Sequence, residues 1–214
     1  MSDKSNKYGY VGVDIPAQSF GSNKGVFNPA EINELVADNK WTSFGQLELI
    51  ETQSHSTDVT DIDFNSIDES TYNVHLLTFN NVQSSGTGPQ LKVRLFESGV
   101  KETASVYQNA IQFGGANGSF SEARSTGDTG MPVNGNFQSG VSNGYIYLYN
   151  LGDSSKYSFL TSHSHQIDPT NTFYMGFGSQ VMTQASTVNG INLYNSNAGN
   201  FTNFDISLYG IRYS

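Results

Sequence analysis

The sequence predicts an all-β protein: an antiparallel β-sandwich, jelly-roll-like, preceded by an extended N-terminal arm and one short helix. The chain of 214 residues contains 22 Gly, 14 Phe and 12 Tyr, a composition that suits pleated, half-buried surfaces joined by turns. From residue 46 onward, apolar and polar residues alternate with a period of two, and turn residues interrupt the runs every ~8 to 12 residues. We therefore predict an arm and helix over 1–44 and a sandwich domain over 45–214.

The first element is an arm, which a helix follows. Residues 1–24 show no period, and we expect this arm to become ordered only on a partner surface. Asn28 is then a good N-cap, Pro29 stands at the first helical position, and Glu31 comes three residues after the cap. This spacing predicts a helix of about ten residues.

The predicted helix carries an apolar stripe of Ile32, Leu35 and Val36, and the one Trp of the chain, Trp41, follows it. A helix of this length is marginal in water unless its stripe packs on something. The stripe either covers an end or edge of the chain's own sandwich or, together with the arm and Trp41, binds another protein. We favour the second, because the arm lacks any pattern of its own.

The body is a series of alternating runs that we predict as strands. TYNVHLLTFNNV (71–82) is mostly apolar, as a central strand buried on both faces would be. The other predicted strands are QLELIETQ (46–53), TDVTDIDF (57–64), LKVRLFES (91–98), GYIYLYN (144–150), KYSFLTSHSHQ (156–166), TFYMGFG (172–178), GINLYN (190–195) and NFTNFDISLYGIRYS (200–214). Residues 83–90 are predicted as a loop. The Gly-rich residues 113–136 are predicted as one long excursion with a short strand near Ser119–Ala123, and such loops are often functional.

Charge and composition exclude several functions. The net charge is −9, from 10 Lys and Arg against 19 Asp and Glu, and this balance opposes binding to a phosphate backbone. The chain has no Cys, which excludes disulfides and thiolate chemistry. The opening MSDKSNKYGY lacks an apolar signal region, and no run approaches ~18 apolar residues. We therefore expect no nucleic-acid binding, no membrane insertion, and assembly in a cytoplasm.

No catalytic signature is present: the sequence has no nucleophile elbow, no zinc-protease motif and no phosphate-binding loop. We predict neither an enzyme nor a cofactor. His163 and His165 are the best metal candidates, because alternation puts both on one strand face, about 6–7 Å apart. Two ligands do not close a site, although three such pairs around a trimer axis would offer six nitrogens. Plain exposed histidines are the preferred interpretation. Asp61 and Asp63 are predicted to mark a solvated strand edge.

Tyr145, Tyr147 and Tyr149 share one face of a predicted strand. Tyrosine has a flat apolar face and a polar tip, which suits sugar stacking and protein interfaces alike. The stripe equally suits the half-wet face of any sandwich. We retain all three interpretations: a glycan-binding surface, an interface, and an ordinary strand face.

Two parts of the chain resemble virion structural proteins of tailed phages, especially accessory proteins of phages that infect marine bacteria and cyanobacteria. GVFNPAEINELVADNKW (25–41) is similar to an element near the N-terminus of many such proteins, with Gly25, Val26, Phe27, Glu31, Ile32, Leu35 and Trp41 at the matching positions. The body is similar to their sandwich modules in LELIETQ (47–53), DFNSIDESTYNVHLLTFNNV (63–82), YIYLYN (145–150) and ISLYGIRYS (206–214).

The resemblance implies a non-enzymatic component of a virion: a short knob, spike or decoration protein. It implies that Gly25, Val26, Phe27, Ile32, Leu35 and Trp41 dock on capsid or tail while the sandwich points outward. It also implies a homo-oligomer, often a trimer. The alternatives are a carbohydrate-binding module that attaches to a host surface glycan and, less favoured, an enzyme that acts on surface polysaccharide.

Overall fold

The computed structural model describes residues 29–38, 47–86, 88–135, 140–168 and 170–211. The chain divides into two compact units, one comprising Met1–Phe44 with Ser214 and the other Gly45–Tyr213. Each unit is described by itself below.

In the first unit the predicted helix is present. Helix α1 spans Pro29–Ala37, with Pro29 at its first position and Glu31 in its first turn. None of its residues is buried: Ile32 and Leu35 are half-buried, and Val36 is 54% exposed. The predicted N-cap and four of the predicted docking residues lie outside the described residues; these are Asn28, Gly25, Val26, Phe27 and Trp41.

The second unit is a β-sandwich of two antiparallel sheets, as the alternation predicts. Its strands are β1 (Leu47–His55), β2 (Asp61–Phe64), β3 (Val74–Ser84), β4 (Leu91–Glu97), β5 (Val100–Lys101), β6 (Tyr107–Gly115), β7 (Phe120–Asp128), β8 (Met131–Pro132), β9 (Ser142–Tyr149), β10 (Tyr157–Ile167), β11 (Phe173–Ala185), β12 (Val188–Asn195) and β13 (Phe201–Ile211). The larger sheet has the order β1-β13-β3-β9-β10-β11-β6-β7. The smaller sheet has the order β2-β12-β4-β5, and β8 pairs with β4. The chain crosses repeatedly between the two sheets.

The core lies between the sheets and is built from the inward residues of both. In β4 the alternation is strict, with Leu91, Val93 and Leu95 buried and the residues between them half-exposed. Other strands of both sheets contribute in the same way, through Ile62, Phe64, Leu77, Phe79, Ile146, Leu148, Ile191, Leu193, Ile206 and Leu208. Full burial of one such side chain stabilises the folded state by about 1.5–3 kcal/mol relative to leaving it exposed.

Buried polar groups tie the segment around β8 to the larger sheet. Ser164 on β10 donates its hydroxyl to the carbonyl of Val133 at 2.9 Å, and the Gln180 amide on β11 donates to the carbonyl of Pro132 at 2.8 Å. Asn134 donates to the Ser142 hydroxyl on β9 at 2.9 Å and also accepts the backbone N–H of Leu91, on β4 of the smaller sheet, at 2.7 Å. These bonds give side-chain partners to the carbonyls of Pro132 and Val133 and to the N–H of Leu91, in an interior where an unpaired backbone group is costly.

The prediction of a long loop over residues 113–136 is wrong. Strands β6 and β7 form an antiparallel hairpin at the end of the larger sheet, and the turn between them is short, with the Gly115 N–H bonded to the Ser119 carbonyl. Gly118 has φ +83° in that turn, a conformation that glycine adopts without steric cost. The predicted short strand near Ser119–Ala123 is the start of β7, which was missed as a full strand because its residues are mostly exposed and polar.

The predicted strand edge at Asp61 and Asp63 is confirmed in position, since β2 is the first strand of the smaller sheet. The two carboxylates are not simply solvated, however. Lys101 lies 3.5 Å from Asp61 and 3.1 Å from Asp63, and the Asn192 amide donates to both, at 3.0 and 2.6 Å. The acids therefore hold strands of the smaller sheet together.

Candidate functional site

The outer face of the larger sheet carries the strongest functional signal. Five adjacent strands, β3, β9, β10, β11 and β6, contain no Asp, Glu, Lys or Arg, although the whole chain has a net charge of −9. We call their outward surface the uncharged face. Charged side chains flank it: Asp205 on β13 at one side, and Glu122 and Arg124 on β7 at the other. An uncharged centre with a charged rim is the composition of a binding surface.

The uncharged face is rich in aromatic rings that the strand register brings together. His163 on β10 pairs with Tyr145 on β9 and with Phe177 on β11. The rings of Tyr145 and His163 meet edge-on, with centroids 5.7 Å apart. Tyr147 lies 5.7 Å from Tyr145 and 6.4 Å from Tyr149, centroid to centroid. These contacts fix the rings relative to one another, so the surface is preorganised.

Exposed apolar side chains are concentrated here rather than scattered. In the part of the chain that the structure describes, eleven large hydrophobic side chains are exposed, and nine of them lie on the outer face of the larger sheet. The nine are Leu47, Leu49, Phe120, Tyr145, Tyr157, Phe159, Ile167, Phe173 and Phe177. A concentration of this kind marks an interaction surface, whereas single exposed apolar residues do not.

A shallow depression of about 550 Å³ lies on this face where β6, β7, β10 and β11 meet. Its lining combines the Phe159 ring with amide and hydroxyl groups from Gln108 and Ser179. Arg124 also lines it and is paired with Glu122 at 3.1 Å, so the depression carries little net charge. It can receive a protruding neutral side chain or a sugar ring.

The predicted tyrosine stripe is present. Tyr145, Tyr147 and Tyr149 lie outward on β9, while Ile146 and Leu148 are buried on the opposite side. Tyr145 is 40% exposed, and the other two are half-buried. The stripe is one row of a larger surface. Its ligand stays a prediction.

His163 and His165 both lie outward on β10, as predicted. Their cross-strand neighbours are Tyr145, Phe177, Asn143 and Met175, of which none is a carboxylate. Within the described ranges no group of three or more His, Cys, Asp or Glu is placed to hold a metal ion. His163 contacts the ring of Tyr145, and His165 lies on the same strand face, so both imidazoles are part of the aromatic surface.

The exposed phenylalanines of this face could not be recognised from the sequence, and for Phe159 the reason is that β10 inverts the usual alternation. Its inward residues are mainly polar and include Ser158, Ser162 and Ser164, while Phe159 points outward. The inward serines leave room for the segment around β8, to which Ser164 is bonded. The sequence feature that could have located the uncharged face is the absence of Asp, Glu, Lys and Arg from all five of its strands.

Two titratable groups with shifted pKa values lie in the core rather than on this face. Burial lowers the pKa of His75, whose Nε2 lies 2.6 Å from the Ile67 carbonyl. Burial also raises the pKa of Tyr107, whose hydroxyl accepts the Leu95 N–H and donates to the Glu102 carbonyl, both at 3.1 Å. Both groups bond to backbone and act in folding.

The chain matches no known protein-family model, and the comparison with curated proteins finds no match either. Across the residues that the structure covers, no helix has the length and apolarity needed to cross a membrane.

Proposed function

We propose that this protein is a non-enzymatic structural component of a tailed-phage virion, a short knob, spike or decoration protein. Residues 1–44 dock on capsid or tail, and the sandwich is displayed. The observation that carries this proposal is the composition of the core. Among the described residues, the core cluster begins at Ile62, and the earliest residue packed against it is Ile50. Among the described residues the sandwich thus has a core of its own, and we assign attachment to the segment before it.

The environment of the acidic groups supports a non-enzymatic role. Asp153 and Asp168 both have pKa values below the usual range. Asp153 bonds chiefly to Lys156 and also to Ser155, whereas Asp168 accepts backbone N–H groups of Thr170 and Thr172. Both carboxylates therefore shape turns. The outward groups of the uncharged face include aromatic rings, amides, hydroxyls and the imidazoles of His163 and His165, and neither imidazole has a carboxylate as its cross-strand neighbour.

The docking role is tested by incorporation into particles. A variant that lacks residues 1–44 is expected to keep the circular dichroism of the sandwich and to be absent from purified virions, as measured by immunoblotting. Within the intact chain, a double variant of Ile32→Lys and Leu35→Lys is expected to reduce incorporation, because it charges the apolar stripe of α1.

The matched control places the same charges on other positions of α1. Asn33→Lys with Ala37→Lys changes two exposed residues and is expected to leave incorporation unchanged. Full incorporation of the chain that lacks 1–44 would refute docking through this segment.

A further inference from the structure

We propose that the uncharged face binds a second copy of this chain, so that two larger sheets pack face to face in a homodimer. This inference does not depend on the virion assignment. Four features of the face support a second copy as its occupant: the inverted alternation of β10, the absence of charge, the area, and the position of the charged rim.

The first observation is the inverted alternation of β10. A sheet that faces solvent on one side carries polar residues outward and apolar residues inward. In β10 the outward positions include Tyr157, Phe159 and Ile167, each at least 37% exposed, while Ser162 and Ser164 are buried. This is the arrangement of a strand whose outward side also becomes buried.

The second observation is charge. Two copies that each carry a net charge of −9 repel one another. At protein interfaces in general, like charges placed directly opposite each other cost several kcal/mol. The five strands of the uncharged face bring no acid into such a contact, since their sequences contain none. A basic partner would instead be matched by acids at the centre of the surface. The face is therefore complementary to itself.

The third observation is area. Five strands spaced ~4.8 Å apart make a surface about 24 Å wide, and strands of about ten residues extend about 33 Å. The product, about 800 Å², equals the area that each partner buries in an interface of standard size. At the centre lie Phe177 and Tyr145, which are exposed by 49% and 40%. Aromatic side chains in this position are the usual anchors of binding energy.

The fourth observation is position. Arg124, with 81% of its side chain exposed, and Glu122 lie on β7, beyond one side of the face. Asp205 lies on β13, beyond the other side. Charges of both signs therefore occupy the rim, where solvent still reaches them, and an isologous pair can form with its uncharged centre buried.

The test is sedimentation velocity of the intact protein over a range of concentrations. The proposal expects a reversible dimer that 0.5 M NaCl does not dissociate, because no ion pair is needed at the centre of the contact. Phe177→Lys is expected to weaken dimerisation by at least about 30-fold, the loss typical of a central anchor. Phe159→Lys, at a second place on the same face, is expected to weaken it as well.

The matched control is Val100→Lys, which places the same charge on a hydrophobic residue that is 70% exposed in the smaller sheet. It should dimerise like the unaltered chain, and circular dichroism should show all variants folded. A monomer at 100 µM, or a dimer that Phe177→Lys leaves unchanged, would overturn the proposal. So would a monomer that binds an immobilised oligosaccharide and loses that binding on Phe177→Lys, since the occupant would then be a glycan.

Discussion

Tyr107→Phe removes one hydroxyl that joins the two sheets. The expected loss of stability follows from the two backbone groups that lose this hydroxyl as their hydrogen-bond partner. Tyr107 lies on β6 of the larger sheet and is fully buried. Its hydroxyl accepts the N–H of Leu95 on β4 of the smaller sheet and donates to the carbonyl of Glu102, each at 3.1 Å. Phenylalanine preserves the ring packing, so the change in stability reports the loss of these two bonds.

The expected magnitude comes mainly from Leu95. That residue is 1% exposed, and a buried donor without a partner costs about 1–3 kcal/mol. Glu102 is half-exposed, so water can reach its carbonyl and the second loss is small. We therefore expect the free energy of unfolding to fall by about 1–3 kcal/mol, with the midpoint temperature lower by about 2–4 °C for each kcal/mol.

Urea denaturation followed by circular dichroism measures this loss. Tyr209→Phe is the matched control, because Tyr209 is half-exposed on β13, outside the uncharged face, and surface changes of this kind stay within about 0.5 kcal/mol. If Tyr107→Phe were as stable as that control, the hydroxyl would not join the two sheets, and the packing of β6 on β4 would have to be described differently.

Two further predictions concern the end of the sandwich near Tyr72. A Cβ at Gly210 would overlap the ring of Tyr72, so Gly210→Ala is expected to destabilise the fold by about 1–3 kcal/mol in urea, whereas Gly127→Ala, which has room, should stay within about 0.5 kcal/mol. His75 has a pKa lowered mainly by burial, against opposing contributions from the Ile67 carbonyl, Glu69 and Asp68. Its neutral form is favoured in the fold, so stability is fully present above the unfolded pKa of about 6.5 and falls as the pH drops below it. Urea titrations from pH 7 to 5 should show this slope and show it flattened in His75→Gln, and an equal slope in both would mean that His75 does not cause it.

The strands were predictable where one side faces the core and the other faces water. In β4, and in β9 at Ile146 and Leu148, every second residue is apolar and buried, so alternation alone located these strands. The hairpin of β6 and β7 could not be predicted in this way. Strand β7 is mostly exposed, whereas β6 has the polar Asn109 at an inward position and ends in two glycines that are typical of a loop. Alternation reports burial rather than strand formation itself, and strands that bury little lack the signal.

The candidate site was predictable only in part. Tyr145, Tyr147 and Tyr149 could be placed on one face because they follow each other in a single strand. Phe159 and Phe177 could not be joined to them, since the sequence does not show the register in which β10 pairs with β9 and β11. A sequence also does not show which side of a strand faces the core when, as in β10, serine is buried and phenylalanine is exposed.

The central claim is that the sandwich over Gly45–Tyr213 folds without the segment before it. The most direct test compares urea unfolding of residues 45–214 alone with that of the whole chain, followed by the circular dichroism of the strands. The account predicts a single cooperative transition with the same midpoint and the same denaturant slope in both. A fragment that fails to fold, or that unfolds at a clearly lower urea concentration, would show that the leading segment belongs to the sandwich and would contradict its role as a separate docking element.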